Sequence, residues 1–177
     1  MIEFYYNLAP NPTKVALCLE EMGLPYELVP IDTRKGEQHE AAFLAINPNA
    51  KLPAIVDDGV TVFDSNAILI YLSEKTGQFG SPDRGPLLSW MMFVASGIGP
   101  YSGQSVHFRN VAPAAKEYAV NRYTFEAKRH LGNLNDRLGK HRFMLGDTYT
   151  IVDMAVWGWS RLVPNVLGPD GYAGLPN

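Results

Sequence analysis

The feature that most narrows the fold is a change of pattern near residue 77: strand and helix signals alternate before it, and only helix signals follow. Residues 2–6, IEFYY, are apolar and aromatic with strand propensity, and residues 12–22 place Val15, Cys18, Leu19 and Met22 at i, i+3, i+4, i+7 on one helical stripe. Residues 26–31, YELVPI, alternate again, and 38–46, QHEAAFLAI, suit a short helix. Residues 53–63, PAIVDDGVTVF, read as two strands around Asp58-Gly59, a strong hairpin signal, and residues 66–77 read as a helix ending on Gly77. The order β-α-β-α-β-β-α predicts an α/β unit with a parallel βαβ pair and a mixed sheet.

Residues 78–86 are rich in Gly and Pro and lack periodicity, so they read as a linker between a domain at 1–77 and a second, all-helical domain at 87–177. In the second part, residues 87–99 predict a helix interrupted near Gly97 to Pro100. Residues 113–140 predict a long helix opening on a proline, with Ala127, Leu131, Leu134 and Leu138 at heptad-like spacing. Residues 150–162 carry a capping box: Thr150 accepts from the backbone at Asp153, whose carboxylate reaches back to Thr150, with Tyr149 and Met154 at the staple positions.

The 177 residues leave room for one domain or two small ones, and 46% hydrophobic residues supply a core. A net charge of −3, with 15 Lys and Arg residues scattered without a stripe, gives no electrostatic footprint for nucleic acid. No apolar run approaches the roughly 20 residues of a membrane span, and no leader precedes the first strand, so no membrane partner and a cytoplasmic location are expected. A single Cys cannot close an internal disulfide, which fits a reducing compartment, and Cys18 lies in the apolar stripe as a small buried hydrophobe. With no Cys-x-x-Cys pair or His-Glu-x-x-His run, no metal site is expected.

The first half, with 51-KLPAIV-56 and 64-DSNAI-68, followed by a linker and a helical half with 150-TIVD-153, resembles a cytosolic glutathione S-transferase. The segments 10-PNPTK-14, 35-KGEQ-38, 47-NPNAKLP-53, 99-GPYSGQSVHF-108 and 118-YAVNRY-123 look like the bacterial Nu class, whose members reduce glutathione-linked disulfides, and like the related fungal nitrogen-regulator prion protein. The resemblance covers essentially the whole chain and rests on the order and spacing of motifs that are each only moderately specific. It implies a thioredoxin-like N-terminal domain, an all-α C-terminal domain, glutathione as co-substrate and a homodimer. Related proteins usually continue through one or two further helices beyond 170-DGYAGLPN-177, so the helical domain is expected either to be naturally short or to be truncated at its end.

Taken as a residue pair, Leu52-Pro53 is open to either isomer, since proline lowers the trans preference to about 0.5–1 kcal/mol, and a trans proline opening an edge strand is one reading. In the fold that the resemblance implies, Pro53 is cis and exposes the backbone of Leu52 to pair with the peptide backbone of glutathione. Asp64 and Ser65 precede a helix whose N-terminus suits a carboxylate. The implied occupant is the γ-glutamyl end, with Ser65 donating to its carboxylate and Asp64 receiving its ammonium; simple capping by the same two residues is compatible with this. Lys51 and Gln38 are candidates for the glycyl end.

The glutathione thiol needs activation, because a thiol with pKa about 8.5 is mostly protonated at neutral pH. The superfamily commonly uses a Tyr or Ser hydroxyl and the Nu class a Thr, but the matching residue here is Ala9. The candidate is the Asn11 amide, helped by backbone N–H groups of a helix beginning around Pro12. Thr13 is the runner-up, Tyr5 and Tyr6 stay open, and Asn11 could instead be a helix cap. The pattern favours disulfide or peroxide reduction with weak conjugation, where glutathione itself supplies the sulfur. A catalytically silent glutathione-binding protein and an interaction domain without ligand are the alternatives. The resemblance places the second-substrate pocket at Tyr101, Gln104, His107 and Phe108, and offers Arg122 for a carboxylate of a second glutathione.

Overall fold

Alternate residues of the first strand, Ile2 and Phe4, are almost wholly buried, and the sheet is built around them. This computed structural model describes residues 1–112, 114 and 117–177. They form two compact units, Met1–Gly80 and Ser81–Asn177.

In the first unit, β1 (Ile2–Tyr6), α1 (Pro10–Glu21), β2 (Tyr26–Pro30), a 3-10 turn (Glu37–His39), α2 (Ala41–Leu44), β3 (Ala54–Asp57), β4 (Val60–Phe63) and α3 (Ser65–Thr76) follow in order. The sheet order is β2-β1-β3-β4; β1 runs parallel to β2 and antiparallel to β3, which is antiparallel to β4. The parallel β1–β2 pair is the one that the alternation predicts, and the mixed sheet is the thioredoxin-like one that the resemblance implies. Val15, Cys18 and Leu19 of α1 and Ile68, Leu69 and Leu72 of α3 have no exposed surface. Fully burying such a side chain stabilises the fold by about 1.5–3 kcal/mol.

The β3–β4 turn has positive φ at both Asp58 (48°) and Gly59 (85°), the requirement that Asp-Gly meets in a tight hairpin. Two expectations change. Helix α1 begins at Pro10 rather than around Pro12, because a proline at N1 has φ preset for the helix and no N–H to leave unsatisfied. The short helix predicted over 38–46 splits into the 3-10 turn and the single turn α2, with Glu40 extended between them (φ −69°, ψ 145°). Phe43 is the one buried residue of α2, so no apolar stripe holds a longer helix.

The second unit is helical: α4 (Arg84–Phe93), a π-helical segment (Val94–Ile98), α5 (Gly99–Val106), a second π segment (His107–Val111), α6 (Glu117–Leu138), α7 (Ile151–Ser160) and α8 (Val163–Leu167), then a 3-10 turn (Gly171–Gly174). Helix α4 starts at Arg84, inside the segment read as linker. The interruption predicted near Gly97 to Pro100 is not a break. The helix widens, and Gly99 N–H reaches back five residues to Val94 O. Pro100 lacks an N–H and crowds the preceding turn, and a π bulge accommodates both without ending the helix. The predicted opening of the long helix at Pro113 lies outside the described residues. The expected stripe of α6 is buried at Ala127, Leu131 and Leu134, yet Glu126 and His130 are buried beside it. Among the described residues no helix is long and apolar enough to cross a membrane.

Candidate functional site

Strand register brings the first half's candidates to one end of the sheet. Tyr5 of β1 lies opposite Ala54 of β3, which lies opposite Phe63 of β4, and Tyr6 lies opposite Pro30 of β2. The β1–α1 loop, the Leu52-Pro53 pair, the start of α3 and the chain leaving β2 therefore all emerge together. Such convergence at strand ends, next to two helix N-termini, is where α/β folds place ligands.

The Leu52-Pro53 bond is cis. Pro53 is buried, Leu52 half-buried and Lys51 exposed, and the Lys51 carbonyl accepts from Asn47 Nδ2 at 2.6 Å. Asp64 caps α3: its Oδ1 accepts from Asn66 N–H at 2.8 Å and from Ala67 N–H at 3.3 Å. Its φ of 70° is uncommon for a residue with a Cβ, and strain of about 1–3 kcal/mol of this kind concentrates at ligand clamps. Ser65, the first residue of α3, is buried. Gln38 lies in the 3-10 turn, and its Oε1 is buried without a hydrogen-bond partner among the described residues.

At the start of α1 the cap residue is Ala9, extended (φ −72°, ψ 162°) and without a side-chain cap. Asn11 is therefore the second residue inside the helix, not its cap. Pro10 and Pro12 carry no N–H, and Thr13 N–H bonds Ala9 O. The Thr13 hydroxyl lies 3.0 Å from Ala9 O and 2.9 Å from Pro10 O, which engages its single proton with the backbone. Tyr5 donates to Glu3 at 2.8 Å; burial first, then that bond, pushes its pKa up to about 12. Asn7 ties the loop down: Oδ1 accepts from Ala9 N–H at 3.0 Å and Nδ2 donates to Thr33 Oγ1 at 3.3 Å. A cavity of about 580 Å³ opens beside it, with Tyr6, Ala9, Ile31, Thr33 and Arg34 among its walls.

Two features of this region carry no motif signal. Residues 32–34 look like ordinary polar loop, and only the parallel pairing of β1 with β2 brings them to the candidate site. Lys14 looks like a solvated charge on α1, yet it is 1% exposed and donates to Asn66 Oδ1 at 2.9 Å. Cys18 meets its expectation of burial, and desolvation pushes its thiol up to about 12.

The helical unit gathers its own aromatic cluster. Tyr101 stacks on His130 with centroids 4.9 Å apart, Phe108 stacks on Tyr123 at 5.2 Å, and His107 meets Phe108 edge-on at 5.1 Å. Gln104 and His107 are exposed. Arg122 Nη1 pairs with Glu126 Oε1 at 2.9 Å on the same helix. Arg129 Nη2 holds the other Glu126 oxygen at 2.9 Å, and together these cations keep the buried carboxyl below its usual range. No cluster of three His, Cys, Asp or Glu side chains that could hold a metal occurs among the described residues.

The chain is similar to known proteins in sequence and in fold. The family pattern described as the glutathione S-transferase N-terminal domain matches residues 9–75. The disulfide-bond oxidoreductase YfcG of Escherichia coli is 43% identical over 169 residues, which are 90% of this chain and 79% of that protein. The disulfide-bond oxidoreductase YghU of the same organism is 39% identical over 172 residues, 89% of this chain but only 59% of that longer protein. The crystal structure of a glutathione transferase from Burkholderia graminis, with two glutathione molecules bound per subunit, superposes with a TM-score of 0.91 at 36% identity, covering 99% of this chain and 80% of that one. Cis-proline, capped α3 and mixed sheet thus occur in a sequence alignable with these proteins over nearly its full length, and the chain belongs to the glutathione S-transferase family.

Proposed function

We propose that the thioredoxin-like unit binds glutathione and that the protein uses the glutathione thiol for disulfide exchange, reducing small or glutathione-linked disulfides. The observation that carries this reading is the state of the sole cysteine. Cys18 is wholly buried and its thiol is pushed up to about 12, so no protein thiolate is offered for exchange and the attacking sulfur comes from the ligand.

In this reading Leu52 pairs its backbone with the cysteinyl portion of glutathione, the start of α3 at Ser65 receives the γ-glutamyl carboxylate, and Asp64 takes the ammonium. Gln38 and Lys51 take the glycyl end. Asn11 positions the sulfur through its side-chain amide and its backbone N–H. One glutathione thiolate attacks the disulfide RSSR′, forming GSSR and releasing R′S⁻; a second attacks GSSR, forming GSSG and releasing RS⁻. Two glutathiones are oxidised, one disulfide is reduced, and the two protons end on the released thiols. The two glutathiones bound per subunit in the Burkholderia graminis relative support such a pairing. We assign contacts with the second substrate to Tyr101, Gln104, His107 and Phe108, and a carboxylate of the second glutathione to Arg122.

Glutathione-dependent reduction of 2-hydroxyethyl disulfide, run beside conjugation of 1-chloro-2,4-dinitrobenzene, tests the reading on wild type, Asn11→Ala, Ala9→Thr and Cys18→Ala. Expected are reductase turnover exceeding conjugation, a loss of at least tenfold in Asn11→Ala and retention in Cys18→Ala. Wild type that binds glutathione yet turns over neither substrate would instead make this a silent binder. The absence of a hydroxyl at Ala9 and the engagement of Thr13 with its own helix favour that second reading.

A further inference from the structure

Lys14 is the fifth residue of α1, and its ammonium reaches the first turn of α3, where Asn66 Oδ1 accepts from it at 2.9 Å. Both side chains are buried. Among the described residues no carboxylate lies within ion-pair distance of this ammonium, whose hydrogen-bond partner is a neutral amide. Burying a cation on those terms is unfavourable, and an apolar side chain of similar length would fill the same space without the penalty. The position of the charge is therefore the feature to explain.

The atoms around it point to the α3 N-terminus. Asn66 is the second residue of α3, and its N–H bonds Asp64 Oδ1 at 2.8 Å. Lys14, Asn66 and Asp64 thus form one chain of contacts beneath the turn where Ser65 begins the helix. Desolvation pushes the Lys14 pKa down from its ordinary value to about 8, and the charge of the Asp64 carboxylate draws it partly back. In the free protein the charge is poorly compensated. An anion seated on the first turn of α3 would compensate it.

We propose that Lys14 is the buried countercharge of the site at the α3 N-terminus, so that docking the γ-glutamyl carboxylate and holding the Lys14 proton are one coupled event. The inference rests on the glutathione reading above and adds to it a positioning residue that makes no contact with the ligand. It acts through the Asn66 amide and through its field: a carboxylate nearby favours the charged ammonium, and the charged ammonium favours the carboxylate to the same extent. Ligand affinity then falls as pH rises through the range where free Lys14 loses its proton.

The test is calorimetric titration of the folded protein with S-methylglutathione, whose sulfur cannot ionise, at pH 8 in two buffers of different ionisation enthalpy. Wild type should take up about half a proton per ligand bound beyond the amount taken up by Lys14→Met, the ligand's own amine contributing equally to both. Between pH 7 and pH 9 the wild-type affinity should fall about fivefold more than that of Lys14→Met. Lys14→Arg, which stays charged, should bind with little extra pH dependence and no extra uptake. Proton uptake by wild type at pH 8 no greater than protonation of the ligand's own amine, known from its titration in free solution, overturns the inference, and this comparison decides even where a variant fails to fold. No binding by wild type at pH 7 overturns the glutathione reading, and the inference with it.

Discussion

The Tyr5 hydroxyl donates to the Glu3 carboxylate at 2.8 Å, two residues back on the same face of β1. The resemblance implies a Tyr or Ser hydroxyl near the start of the first helix as the common thiol activator, but the Tyr5 proton is already committed to an acceptor. Burial and that carboxylate both push its pKa upward, to about 12, away from the range useful for a thiol. Tyr5→Phe should therefore retain glutathione-dependent disulfide reduction within about twofold, well short of the loss that removal of a transition-state hydrogen bond produces. A tenfold fall in kcat/KM with stability unchanged would return Tyr5 to the mechanism.

Gly97 is required by a close approach. A Cβ added there would lie 2.4 Å from His130 Cδ2. The imidazole cannot move aside: it is stacked on Tyr101, lies 5.1 Å from the Phe93 ring, and holds Nδ1 2.7 Å from Glu126 O. Gly97→Ala should destabilise the protein by about 1–3 kcal/mol in urea unfolding, the range for forcing atoms into a packed core. Removing the obstacle should recover part of that, so the Gly97→Ala/His130→Ala double variant should be at least about 1 kcal/mol more stable than the sum of the single losses. Additive losses would mean that the clash is not what the glycine avoids.

The sequence shows which of these relationships follow local rules and which need the third dimension. Asp58-Gly59 and the Thr150–Asp153 box are legible because a turn or a cap is decided by neighbours in sequence. The stripe carrying Cys18 is legible because period alone places it. The π segment at Val94–Ile98 is not, because Gly97 and Pro100 give the same signal for a broken helix as for a widened one. Lys14 is not legible either. Its type argues for solvent, and only the packing of α1 against α3 encloses it. At the candidate site, motif order singled out Leu52-Pro53 and Asp64-Ser65 as candidates, while the engagement of Thr13 and Tyr5 depends on distances that no spacing rule supplies.

The carboxylate of Asp153 serves both the cap of α7, where the Thr150 hydroxyl also lies 3.1 Å from Oδ2, and the loop before it. Oδ2 accepts from Thr150 N–H at 2.8 Å, completing the cap of α7, and Oδ1 accepts from Met144 N–H at 2.8 Å, fastening the preceding loop. Met144 is fully buried, so the loop cannot turn its N–H to water. A lost cap costs about 0.5–2 kcal/mol, and a buried donor left unsatisfied adds about 1–3. Asp153→Ala should lower stability by about 2–4 kcal/mol, with Asp153→Asn intermediate because its one carbonyl oxygen can serve both donors only weakly. An Asp153→Ala loss below 1 kcal/mol would show that these bonds are exchanged for water at little cost.

Lys14 also sets a pH dependence of stability in the ligand-free protein. Its folded pKa of about 8 lies below the ordinary 10.5, so between these values the unfolded chain binds a proton that the folded chain does not. Stability therefore rises with pH across that window and is flat below it, where both states are protonated and the folded one bears the full penalty. A gap of this size corresponds to roughly 3 kcal/mol for so deeply buried a group. Urea unfolding of wild type and Lys14→Met at pH 7, 8, 9 and 10.5 should show wild type gaining on the variant from pH 8 upward, since the titrations common to both cancel. Parallel curves would mean that Lys14 keeps an ordinary pKa in the folded state. Saturating S-methylglutathione should flatten the wild-type rise, because the docked carboxylate holds the proton on Lys14 to higher pH.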